Sequence, residues 1–275
     1  PPEYLSQAKN HRTRSSLLIQ GPEGNLLVDC APEMRLQLTG NRIYDVDHVL
    51  ITHTHADHLM GMDDLRSLVR RRAAAGKGDA IPVTTIPRYQ EDIRRVFSYA
   101  FAPVTPGLLV PRVELRDLQP KERIVGLTVR SALVEHGKVP VVAIRIGGFG
   151  YVTDCSVITP EARDLLTGLD VLILDATRFT PHPSHLHLEK SLAEIEKLAP
   201  RKAYLTHLSH DYDASAPPEL PDRVALAYDG LLLRFEKGGD VAKRGIFDET
   251  SRATLQMGEN LAIISRVGMR PNQEQ

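Results

Sequence analysis

Tryptophan is absent from the 275 residues, aromatic residues make up 5 %, and there are two cysteines. Cys30 and Cys155 cannot build a disulfide framework or a cysteine-rich zinc site, so a reducing cytoplasm is the expected compartment. No apolar run approaches the ~20 residues a bilayer span requires; Val139–Ile146 is interrupted by Arg145. The opening Pro1–Asn10 is polar and carries no apolar signal-peptide core. With no Met at its start, the sequence leaves export open. Charge of one sign is missing too: 34 Lys+Arg against 35 Asp+Glu leave a net −1. That gives no overall electrostatic pull towards nucleic acid or an acidic membrane. What remains is an ordinary globular composition, 42 % hydrophobic and 25 % charged, long enough for one large domain or two small ones. The unusual number is eleven histidines.

Ser15–Gln20 and Leu26–Asp29 around Gly21-Pro-Glu-Gly24 predict a β-hairpin. Pro32–Leu38 reads as a short helix ended by Gly40, and Asp47–Thr52 as a short buried strand. Apolar residues at Leu59, Met62, Leu65, Leu68 and Val69 have helical spacing over 59–71. Arg70–Gly78 is a basic, small-residue loop. Ile81–Ile86 (strand) and Tyr89–Tyr99 (helix) come before the proline-rich, irregular Ala102–Pro111. Further strands are expected at Val110–Leu115, Ile124–Val134, Val139–Ile146, Gly150–Asp154, Val171–Asp175, Lys202–Thr206, Val224–Tyr228 and Leu231–Phe235, with helices at Glu161–Leu166 and Glu189–Leu198. The pattern predicts two sheets packed on each other with helices outside. Residues 1–236 would form the domain and 237–275 a loosely attached extension of unknown role, with one apolar patch at Leu261–Ile264.

His53-Thr-His55-Ala-Asp57-His58 follows the buried strand directly. Residues two apart on extended chain face the same way, so His53 and His55 can grip one ion. The side chains of Asp57 and His58 diverge at a helix start, which suits a second ion nearby. Imidazole with carboxylate suits zinc, manganese or iron. Six residues cannot fill two coordination spheres, and further donors sit where other strands end: Glu135-His136, Asp154-Cys155 and Thr206-His207. Asp29 ends a strand and could orient the metal loop or simply close a turn. Cys30 and Cys155 read as packing, His11 and His48 as structural, His182 and His187 as bystanders, and His210 as a neighbouring hydrogen-bonding group.

The order HTHADH, His136, Asp154, His207 resembles the metallo-β-lactamase superfamily of binuclear hydrolases. The strings RTRSSLLI (12–19), LLVDCAPEMR (26–35), HADHLMGMDDLR (55–66), YVTDC (151–155), VLILDAT (171–177) and YLTHLSHD (204–211) are similar to PhnP-type phosphoribosyl cyclic phosphodiesterases. The resemblance covers roughly 12–235. It implies an α/β (α+β) chain folded as a four-layer αββα metallo-β-lactamase sandwich. It also implies two divalent metal ions, zinc or manganese with iron or nickel as other candidates. His53, His55 and His136 would hold one, Asp57, His58 and His207 the other, and Asp154 would bridge them. His185, in SHLHLEKSL, matches a histidine that assists at the leaving group; read unaided, it is one polar residue of a Pro/His-rich loop. Two departures stand out: the strand and Gly/Ser-rich turn that usually come before the segment matching 12–19 are not evident, and no cysteine cluster supports a third metal site.

The expected function is a phosphoric diester hydrolase acting on a small anionic, cyclic phosphodiester through a metal-bound hydroxide, with Asp57 and His185 moving protons. Arg70, Arg71, Arg72 and Lys77 could line a lid over that anion or form a solvated loop. No membrane or nucleic-acid partner is expected, and a homodimer is left open. The alternatives are a ribonuclease Z-like nuclease, which needs a broad basic surface, and a non-hydrolytic metal-binding accessory protein of a biosynthetic pathway. Thioester or lactam hydrolysis would use the same ligands.

Overall fold

The computed structural model describes residues 8–103, 107–235 and 260–264. The predicted hairpin forms from β1 (Leu17–Gly21) and β2 (Gly24–Val28). Gly24 turns it with φ +141°, and a Cβ there would lie 2.3 Å from the Asp47 carboxylate, so only glycine fits. Helix α1 (Met34–Gly40) leads to β3 (His48–Leu50). The helix expected over 59–71 is broken into α2 (Ala56–Leu59), a 3₁₀ turn (Met60–Asp64) and α3 (Leu65–Ala74). The break has a steric cause: Gly61 packs so close that a Cβ would sit 2.0 Å from the Ala31 carbonyl oxygen. Its N–H donates to the Cys30 carbonyl. Then follow β4 (Ile81–Thr85), α4 (Pro87–Val96), α5 (Ser98–Phe101) and β5 (Val113–Asp117).

The single strand expected over 124–134 is instead a hairpin of β6 (Lys121–Ile124) and β7 (Leu127–His136), turned by Val125 and Gly126 at φ 44° and 80°. Next come β8 (Val139–Ile146), β9 (Phe149–Val152), α6 (Pro160–Leu166), β10 (Val171–Asp175), α7 (Leu188–Leu198), β11 (Lys202–Thr206), β12 (Val224–Leu226), β13 (Leu232–Phe235) and β14 (Asn260–Ile264). Within the expected extension, β14 pairs antiparallel with both β1 and β13, so this stretch belongs to the first sheet; the rest of 237–275 lies outside the described residues.

One seven-stranded sheet runs β13-β14-β1-β2-β3-β4-β5 and the other β12-β11-β10-β9-β8-β7-β6. Period-2 alternation divides each strand between layers. Leu17, Ile19, Leu26, Val28 and Leu50 meet Val129, Val142, Ile144, Ile173 and Tyr204 between the sheets. The intervening Leu18, Leu27, Val49 and Ile51 face outward under Met34, Leu65 and Ile93 of the helices. Leu172, Leu174 and Ala203 do the same under Leu165, Ile195 and Leu198. This is the αββα sandwich. Its strands β2 and β3 are parallel, as are β9, β10 and β11. Their carboxyl ends open on one edge, where Val142 N–H donates to the Thr52 carbonyl and ties the sheets together.

Candidate metal centre

The residues predicted as ligands leave a strand at this edge or follow one within a few residues, whereas His185 comes from the loop between β10 and α7. His53 lies just past β3, His136 ends β7, Asp154 follows β9 and His207 follows β11. His53, His55, His136 and Asp154 place ligand-type atoms within 4.8 Å of one another, and so do Asp57, His58, Asp154 and His207. Asp154, 2 % exposed, belongs to both groups and divides its carboxylate between them. Its Oδ1 lies 3.1 Å from His58 Nε2 and 3.4 Å from His207 Nε2. Its Oδ2 lies 3.7, 3.9 and 4.0 Å from the Nε2 atoms of His53, His136 and His185.

Five of the six histidines, all but the exposed His55, are aimed from behind. His136 Nδ1 donates to the Ser184 carbonyl at 2.6 Å, and His58 Nδ1 to Asp29 Oδ2 at 2.8 Å. His185 Nδ1 donates to Asp175 Oδ2 at 2.9 Å. Hydroxyls take the other two: Thr52 Oγ1 lies 3.1 Å from His53 Nδ1, and Thr177 Oγ1 3.2 Å from His207 Nδ1. With Nδ1 engaged outward, each ring presents Nε2 to the centre, the arrangement that metal-binding imidazoles need. The buried Nε2 atoms of His53 and His58 have no hydrogen-bond partner among the described residues. Orphaned buried nitrogens are costly unless something electropositive completes them, so the donor set fits bound metal.

The buried carboxylates and imidazoles of the centre shift one another strongly. Burial, then His58, pushes His53 down to about 2, leaving a neutral ligand nitrogen. Burial would raise Asp154, but His207 and His58 outweigh it and hold the carboxyl well below its ordinary value. Asp57 is likewise held low against burial by its hydrogen bond with His207 and by the neighbouring His58. Burial would depress His207, yet Asp154 and Asp57 lift it to about 9. Two of the pieces are strained: Asp29 and His207 adopt φ 65° and 56°, left-handed backbone that non-glycine residues seldom take, at ~1–3 kcal/mol each.

Of the two roles open to Asp29 at its strand end, its hydrogen bonds fit the orienting one. Fully buried, it accepts from Thr52 N–H and Oγ1 and from His58, each at 2.8 Å. Asp175 was missed by sequence reasoning. It reads as the last residue of an apolar strand, yet it is buried and fixes His185 while accepting from Cys155 N–H and Thr177 Oγ1. The signal was a carboxylate where VLILD leaves the sheet, the same position that singled out Asp154. Cys30 and Cys155 are free and buried. His48 pairs with Thr84 at 2.7 Å, and His210 is exposed beside Asp211. The basic lid does not form. Arg72 and Lys77 pair with Asp47, and Arg71 lies over Tyr44, at the end of the sheet opposite the centre.

The family comparison settles the class. Residues 24–208 match the beta-lactamase superfamily domain. The chain belongs to the metallo-β-lactamase superfamily. Among solved structures, a diphosphatase described as new in the PhnP family superposes with a TM-score of 0.74 at 32 % identity, covering 82 % of this chain and 86 % of that one. An octanoyltransferase of Porphyromonas gingivalis is 32 % identical over 226 residues, 80 % of this superfamily member but 44 % of the relative. Coenzyme PQQ synthesis protein B of Methylobacterium sp. (strain 4-46) is 29 % identical over 192 residues, 60 % and 61 % of the two chains. The chain thus spans less than two thirds of these curated relatives. No helix among the described residues is long and apolar enough to cross a membrane.

Proposed function

We propose that the chain is a binuclear metal-dependent hydrolase, a phosphodiesterase of small, cyclic phosphodiesters. The observation that carries this reading is Asp154, whose two oxygens face two separate histidine groups. His53, His55 and His136 would hold one cation and Asp57, His58 and His207 the other. Bound there, two divalent ions supply a water of lowered pKa and offset the charge on the phosphoryl oxygens.

The chain's own groups do the rest. Asp57, kept ionised by His207 and His58, can accept a proton from the attacking water. His185 stands 4.0 Å from Asp154, with Asp175 behind its Nδ1. That carboxylate fixes the ring through Nδ1, so a proton carried on Nε2 can be delivered to the departing alkoxide as the P–O bond breaks. The likeness to a PhnP-family diphosphatase supports phosphoryl chemistry. The net charge of −1 speaks against a polymeric RNA substrate.

The octanoyltransferase relative favours one second reading, hydrolysis of an acyl thioester at the same centre. The test is turnover by zinc- or manganese-reconstituted protein of bis(p-nitrophenyl) phosphate, a ribose cyclic phosphate, a 2′,3′-cyclic nucleotide, a short RNA and octanoyl-coenzyme A. Diester turnover lost in Asp154→Ala is the expected result. Thioester turnover alone transfers the function to the second reading, RNA turnover alone makes a nuclease, and silence with two metals bound makes an accessory protein.

A further inference from the structure

Beside the His207 face of the centre lies a cavity of about 380 Å³, within the size range of small-molecule sites. Its walls bring Asp57 and His207 of the centre together with Arg12, Thr13, Tyr228 and Asp229. The Thr13 and Asp229 segments of the wall lie 216 residues apart and are tied together by Asp229 Oδ2, which accepts from Thr13 N–H at 2.9 Å and Thr13 Oγ1 at 2.7 Å. The wall is anchored further along as well. Asn10 donates to Asp213 Oδ1 at 2.9 Å and accepts from Ala214 N–H at 2.8 Å, and Arg12 donates to the Tyr212 carbonyl at 2.9 Å.

Every one of these bonds serves to hold the wall in place except for one atom. Asp229 Oδ1 makes no hydrogen bond among the described residues, although its carboxylate lines the cavity. Burial raises the group to about 6, against the Thr13 bonds, so it is an ionised acceptor at neutral pH. Held in a fixed orientation on the cavity, that oxygen is open to a donor that a ligand brings. The guanidinium of Arg12 on the same wall repels an ammonium and leaves a neutral hydroxyl as the fitting donor.

Resting on the phosphodiesterase reading above, we propose that Asp229 is a specificity-determining residue. Its Oδ1 accepts a hydrogen bond from a hydroxyl on the organic part of the substrate, so the site prefers small hydroxylated phosphoesters to alkyl or aryl ones. Thr13 is the positioning residue that fixes the carboxylate's rotation. Failure to pair a buried charged acceptor weakens binding by roughly 10- to 100-fold.

The experiment is calorimetric binding of two product-like probes to the zinc-loaded full chain: glycerol 3-phosphate and n-propyl phosphate, which differ in hydroxyls on the same carbon skeleton. Wild type should bind the glycerol ester at least ~10-fold more tightly. Asp229→Asn, which still accepts from Thr13 but turns a donor into the cavity, should bring the ratio near one. Thr13→Val, which keeps the charge and loosens its aim, should lower the ratio by a smaller factor and serves as the arm to read if Asp229→Asn does not fold. Equal affinities in wild type, no measurable binding of either probe, or a ratio unchanged in the folded variants overturns the proposal. Turnover of bis(p-nitrophenyl) phosphate by wild type is read separately. Its absence removes the phosphodiesterase reading, while the binding ratio still judges Asp229.

Discussion

Two aspartates clamp β2 to β3, one at each end, and they do opposite things. At the carboxyl end Asp29 is fully buried, adopts a left-handed φ, and accepts three hydrogen bonds from Thr52 and His58. At the amino end Asp47 accepts from Asn25 N–H and pairs with Arg72 and Lys77 at 3.1 and 3.0 Å, its side chain still 12 % exposed. The second arrangement is what a sheet end needs for stability: an inexpensive, partly screened ion cluster. The first adds strain and a buried charge that a surface clamp would not require. Such expenditure is explained by what Asp29 aims, an imidazole whose other nitrogen faces Asp154 and has no hydrogen-bond partner among the described residues. Polar residues that cost stability are therefore a better guide to function here than charged residues that are merely numerous. The basic 70–78 segment was numerous and turned out to belong to the quiet end.

The largest expected effect that sharpens this contrast is on rate. His185→Ala should lower kcat on alkyl diesters by roughly 10²–10⁴-fold with KM little changed. Asp175→Asn should lose much of the same factor through misdirection of that ring. Aryl esters, whose leaving group needs no proton, should be spared in both; equal losses on alkyl and aryl esters would show that His185 does not serve the leaving oxygen.

Next comes the clamp itself. Asp29→Ala strands Thr52 N–H and His58 Nδ1 in the interior and should cost ~3–5 kcal/mol in urea unfolding, with zinc affinity down ~10–100-fold in a chelator competition. Asp47→Ala should cost about 1 kcal/mol and leave zinc affinity unmoved. Similar costs for the two would erase the distinction between the ends.

A smaller effect concerns His48, beside Asp47, whose ring is buried against Thr84 and pushed down to about 4, by burial first and then by Arg116 and Arg72. Between its unfolded value near 6.5 and about 4 the unfolded chain binds a proton that the native chain refuses, so stability falls as pH drops through that window. The loss should reach ~3 kcal/mol at most. Urea titrations of metal-free protein at pH 7.5 and 4.5 should show a shallower pH slope for His48→Gln, and an unchanged slope would remove His48 as the cause.

The centre was legible in sequence because its donors obey one local rule, a ligand-type residue where a buried strand ends. That rule reaches His53, His136, Asp154 and His207 without any tertiary information. It was not applied to Asp175, and the dyad with His185 exists only because the 178–187 loop folds back over the end of β10, which no periodicity reveals. The cavity wall lay further out of reach, since Thr13 and Asp229 meet across the whole chain. Fold errors have the same origin. Apolar spacing over 59–71 is helical, yet contact between Gly61 and the Ala31 carbonyl breaks the helix. The run 124–134 is apolar enough for one strand, but Val125 and Gly126 take positive φ and fold it into two.

Everything proposed for the centre depends on Asp154 serving two ions at once. Metal analysis of the full chain after dialysis against buffered free zinc, wild type beside Asp154→Ala, tests it most directly. The account predicts two zinc ions per wild-type chain and a fall to one or none in the variant. Two ions retained without Asp154, or a single ion in wild type, would contradict it.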